Sequence, residues 1–136
     1  MIEAFDAYGH ALVSLALWPI LLMVLNFTAV PGKTPENTLE SGHPKRDYSS
    51  SVYRRSRAQA NAMEISGPFI AATVAAILAG AAPFWVNMLA SAFVVSRIAT
   101  ALVHIRTENQ SLRSATWMVG FLSVIGLVIL AVWAAL

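Results

Sequence analysis

Residues 65–103, ISGPFIAATVAAILAGAAPFWVNMLASAFVVSRIATALV, decide the fold. They form two apolar runs, roughly Ile65 to Ala82 and Pro83 to Val103, divided at Gly80-Ala81-Ala82-Pro83. Each run is close to the ~20 residues that carry a helix across a hydrocarbon core of about 30 Å. A glycine followed closely by a proline marks a tight turn. The stretch therefore predicts two antiparallel membrane helices lying side by side. A third apolar run precedes it, roughly Ala11 to Val30, and a fourth follows, roughly Ala115 to Leu136. Pro19 lies inside the first run, where a kink is tolerable because neighbouring helices re-satisfy the freed carbonyl. Met1 to Asp6 is acidic, without the basic segment that opens a signal peptide, so the first run reads as a retained helix.

The expectation is an all-α membrane protein, a bundle of four transmembrane helices forming one domain over 1–136. The spans fall at about 11–30, 57–82, 83–106 and 113–136, with a flexible polar loop over about 31–56. Composition agrees: of 136 residues, 57% are hydrophobic and only 12% charged, against about 25% charged in a soluble domain. A net charge of +2 is too small to argue for a nucleic-acid partner. With no cysteine, disulfides and thiolate metal sites are excluded. His10, His43 and His104 are too scattered to suggest a metal site.

The basic residues fix an orientation. Lys33, Lys45, Arg46, Arg54, Arg55 and Arg57 lie between the first two runs, Arg106 and Arg113 flank the connection between the last two, and Arg97 sits in the same half of the third. The positive-inside rule places both basic loops in the cytoplasm and both chain ends on the other side, as expected in a bacterial inner membrane. Asn109-Gln110-Ser111 matches a glycosylation acceptor but falls in a cytoplasmic loop and is discarded. Trp18, Trp85 and Trp133 are expected at the interface or facing lipid.

Charges at membrane depth cost about 2.5–3.5 kcal/mol each and face cavities or partners. Arg57, Asn61 and Glu64 fall within an arc of roughly 60° on one helix face. Arg97 and His104 share a face of the third span, and Arg113 and Ser114 open the fourth. Three helices thus present polar groups at one depth, and the arginines outnumber the single nearby acid, Glu64. Pairing within the set, with Arg113 extended to the headgroups, is one reading. An acidic guest, lipid phosphate or small molecule, is the other. Ala72, Ala76 and Gly80, with Ala71, Ala75 and Ala79, recur every fourth residue and suit close helix packing, within the chain or between copies.

Arg57-Ala58-Gln59-Ala60-Asn61-Ala62-Met63-Glu64 followed by Pro68-Phe69 resembles the second-helix signature of the MAPEG family, membrane-associated proteins in eicosanoid and glutathione metabolism. Ser96-Arg97-Ile98-Ala99 and Leu112-Arg113-Ser114 resemble that family's motifs on its third and fourth helices. The likeness covers about residues 50–136. It departs at Ala60, where several members carry arginine, at His104, where tyrosine is typical, and at Trp117, which replaces another aromatic.

The resemblance implies a homotrimer with glutathione as cosubstrate between subunits near the cytoplasmic face. It implies glutathione contacts from Arg57, Asn61, Glu64, Arg97 and His104, and catalysis by Arg113 and Ser114, with Arg113 stabilising the thiolate. The implied activity is that of a membrane-bound transferase or peroxidase acting on lipophilic electrophiles. The alternative is a non-catalytic protein of the same fold that binds an anionic lipid or fatty acid. A small proton-coupled drug transporter needs an acid inside the first span, whereas Glu3 and Asp6 precede it.

Overall fold

In the computed structural model, residues 3–136 are described, with side-chain surroundings from Phe5 onward. Met1 and Ile2, the start of the acidic N-terminal stretch, lie outside the described residues. A 3₁₀ turn, Glu3–Tyr8, leads into α1, Gly9–Ala29. Then follow α2, Ser51–Leu78, α3, Pro83–Arg106, and α4, Gln110–Ala135. All four are long and apolar enough to cross a membrane. Helices α1 and α4 each pack against both α2 and α3.

Local chemistry sets the breaks. Gly80 adopts a left-handed φ of 71°. The Gly80 amide donates to the Ile77 carbonyl and the Ala81 amide to that of Ala76, a Schellman ending that satisfies the last carbonyls of α2. Pro83 then opens α3 at a position where a missing N–H costs nothing. At the other end Asn109 caps α4, its side chain accepting from the Leu112 amide at 3.0 Å. The discarded glycosylation sequence is thus a helix start. Tyr8 provides no side-chain cap for α1. Asn87 of α3 takes that role, accepting from the Ala11 amide at 2.9 Å and donating to the Ala7 carbonyl at 2.7 Å.

Helix α2 begins at Ser51 rather than near 57, so residues 51–56 are helical, not loop. The connector before it carries defined turns, including an isolated antiparallel bridge between Thr38 and Pro44. Asp47 accepts from the hydroxyl and amide of Ser49, which hold its carboxyl below the usual carboxylate range.

The interior is built around three aromatics from three helices. Phe69 and Phe93 stack with centroids 3.9 Å apart, and Trp18 meets Phe93 edge-on at 4.9 Å. All three are fully buried. Trp18 is therefore not an interfacial or lipid-facing residue. Its indole N–H donates to Ser66 at 3.0 Å, so the ring's one polar atom is satisfied inside the bundle. Trp85 and Trp133 do face outward. The alanine pattern divides likewise: Ala72 and Ala76 face the core, while Ala71 and Ala75 are exposed.

In lipid every buried polar group needs an internal partner. Ser14, Ser66, Thr73, Thr100 and Ser123 meet this by each donating to the carbonyl four residues earlier. Phe93→Ala leaves a cavity in the aromatic cluster and should cost about 3 kcal/mol. Trp133→Ala, on the outer surface, should change stability by no more than about 0.5 kcal/mol. Thermal unfolding in detergent micelles compares the two, and equal melting temperatures would contradict the described core.

Candidate functional site

The helix order brings the basic loops together at one end of the bundle. Arg55 of α2 donates to the Pro31 carbonyl at 2.7 Å, and Arg54 donates through Nε to the Ile105 carbonyl at 3.2 Å. Arg54 also approaches Glu108 at 3.8 Å. At the opposite end Tyr8 donates to the Ala81 carbonyl at 2.6 Å.

Arg97 lies nine residues before the end of α3, about 14 Å along the helix from the basic end. It is only 3% exposed. Its Nη2 donates to both the backbone carbonyl of Asn61, at 3.0 Å, and the Asn61 side-chain oxygen. This ties α3 to α2 at the depth where the sequence places its polar groups. Helix α4 passes close by: a Cβ on Gly120 would stand 2.7 Å from Ser96 Oγ and 3.0 Å from Arg97 Cδ.

Above Arg97, toward the basic end, opens a cleft of about 320 Å³. Asn61, His104, Arg113 and Ser114 line it, joined by Tyr48, Gln110 and Trp117. The set draws on three helices and the connector. Among the described residues no carboxylate lines this cleft. His104 and Arg113 are both more than nine-tenths buried. His104 Nδ1 and Arg113 Nη1 have no hydrogen-bond partner. Arg113 is turned inward rather than extended; its guanidinium lies 4.3 Å from the ring centroid of Tyr48. Larger hollows occur in the connector, about 530 Å³, and on the outer face of α4, about 460 Å³, but no arginine lines either.

Of the expected site residues, four meet in the cleft: Asn61, His104, Arg113 and Ser114. Arg97 stands behind Asn61 and holds it. Arg57 and Glu64 do not line the cleft. They approach each other at 3.8 Å, and the Glu64 side chain is 61% exposed. Tyr48, Gln110 and Arg54 were not singled out from the sequence. Tyr48 lies in a polar connector, where one aromatic gives no indication of its distant partner.

Fold and site together define a four-helix membrane protein with a polar cleft at one end that holds a buried arginine. The MAPEG family model matches residues 8–133 of the chain, and the chain belongs to that family. It is thus a membrane protein of the family concerned with glutathione and eicosanoid metabolism. No curated protein matches the chain.

The close approach at Gly120 is testable. Gly120→Ala must displace Ser96 or Arg97 and should cost about 1–3 kcal/mol. At Gly126 an added Cβ meets only the flexible tip of Leu89, 2.8 Å away. Gly126→Ala should therefore be tolerated better. Melting temperatures of the two variants check this, and the reverse order would refute the packing of α4 on Arg97.

Proposed function

We propose that the protein is a membrane-bound, glutathione-dependent transferase or peroxidase that works as a homotrimer on lipophilic electrophiles. The observation that carries this reading is Arg113, nine-tenths buried in a cleft without carboxylates and with Nη1 unpartnered. A buried cation that lacks a counter-charge is costly, and an anionic guest relieves that cost. Family membership points to glutathione as that guest.

Glutathione carries two carboxylates, one ammonium group and a thiol. A free thiol with pKa about 8.5 is mostly protonated at neutral pH, and an adjacent cation lowers that value. Arg113 is assigned to the sulfur, with the Ser114 hydroxyl as a second donor. His104 and Asn61 contact the peptide, and Arg97 acts by holding Asn61 in place. In the proposed trimer, Arg57 and Glu64 reach a ligand seated between copies, the arginine taking a carboxylate and the glutamate the ammonium. Their mutual contact is no obstacle, because an exposed ion pair is worth only about 0–1 kcal/mol. The thiolate forms a C–S bond with an electrophilic carbon arriving from the bilayer, and the leaving group departs with its electron pair. Both basic loops are assigned to the cytoplasm, where the thiol is supplied from water.

Titration calorimetry and thiolate absorbance with glutathione on the folded protein test the reading. Arg113→Ala should lower the thiolate fraction at neutral pH by about tenfold or more while weakening binding less. Absence of binding at millimolar glutathione removes the proposal. A co-purified anionic lipid in the cleft, without thiol chemistry on any electrophile tried, supports the non-catalytic alternative.

A further inference from the structure

Tyr48 lies outside the four helices, yet its ring covers the guanidinium of Arg113. The guanidinium carbon stands over the ring, 4.3 Å from its centroid. Of the guanidinium's N–H groups, Nη1 is buried without a partner. An aromatic ring on the face and an anion at the edge do not compete for the same part of the group. Without the ring, an arginine in the first turn of α4 is free to extend toward lipid phosphates.

Tyr48 is itself fixed. Arg54 Nη1 donates to the Tyr48 carbonyl at 2.6 Å and to that of Ser49 at 2.8 Å. Tyr53 meets the Tyr48 ring edge-on at 5.0 Å. Because Arg54 also holds the Ile105 carbonyl and faces Glu108, one side chain of α2 ties the connector to the end of α3. The connector in turn places its aromatic ring on α4.

We propose that Arg54 and Tyr48 are positioning residues that keep the Arg113 guanidinium in the cleft with its N–H edge toward the sulfur of a thiol peptide. This rests on the glutathione reading above. It adds that the polar connector forms part of the site and sets the ionisation of the thiol rather than the affinity for the peptide.

The test uses the full chain as Tyr48→Ala, Tyr48→Phe and Arg54→Lys, beside the unaltered protein. Two properties are read: the pH profile of thiolate absorbance with glutathione, and the reactivity of Arg113 toward phenylglyoxal, mapped by peptide mass. Tyr48→Ala should move the thiolate midpoint up toward the free-thiol value of about 8.5. Turnover at neutral pH should fall about tenfold, with KM for glutathione changing by under about threefold. Arg113 should become reactive in the same variant. Tyr48→Phe keeps a ring and should restore both properties. Arg54→Lys keeps a cation facing Glu108 but loses the forked donors and should fall between.

Unchanged thiolate profile and unchanged Arg113 protection in Tyr48→Ala would overturn the proposal, as would Tyr48→Phe behaving like Tyr48→Ala. If Tyr48→Ala does not fold, Arg54→Lys carries the test, and its matching the unaltered protein in both properties counts against the proposal. If the unaltered protein ignores glutathione while Arg113 protection follows the ring, the glutathione reading fails and the tether stands. If glutathione binds and ionises normally in every variant, the tether fails and the glutathione reading stands.

Discussion

The buried guanidinium of Arg97 is the constraint on which the rest of the structure depends. A cation at membrane depth is costly, and this one has almost no exposure. Asn61 answers it twice, through its backbone carbonyl and its side-chain oxygen. The arrangement requires α2 and α3 to lie in one register, which the turn at Gly80 to Pro83 also enforces. It requires α4 to carry glycine at 120, because Arg97 and Ser96 fill the space that a side chain would need. Once the register is set, Asn61 forms a wall of the cleft, and His104, seven residues beyond Arg97 on the same helix face, reaches the same opening.

Polar atoms inside the bundle are satisfied unevenly. Buried hydroxyls bond to their own helices, and Trp18 bonds to Ser66. Four buried side-chain nitrogens instead have no partner among the described residues: Nε of Arg55 and of Arg97 and, in the cleft, Nδ1 of His104 and Nη1 of Arg113. The last two belong to residues that line the cleft, and they are the donors that the proposed guest would satisfy. The direction of charge then selects an anion. The family to which the chain belongs supplies a specific candidate in glutathione.

The four spans were legible in the sequence because lipid imposes length and hydropathy so strictly. Their polar ends were less so. Residues 51–56 continue α2 beyond the apolar run, and hydropathy is insensitive to helix that extends into the headgroup region. The shared face of Arg57, Asn61 and Glu64 follows from helical periodicity alone. Periodicity does not say which edge of that face meets α3, and the structure divides the three: Asn61 turns to Arg97, while Arg57 and Glu64 turn to each other. The places of Trp18 and Tyr48 are not legible in the sequence for one reason. A single aromatic within an apolar run or a polar connector has no periodic signal, and its partners lie on other elements. The His104 position, by contrast, follows from periodicity, seven residues after Arg97 on the same face, and it lines the cleft.

The proposed function depends on the buried Arg113 guanidinium and the polar groups around it meeting one anionic guest. A structure determined in a lipid nanodisc with glutathione tests this most directly. The account predicts peptide density in the cleft bounded by Asn61, His104 and Ser114, its sulfur beside the Arg113 guanidinium. A cleft empty of peptide, with Arg113 turned outward onto lipid phosphate, would contradict it.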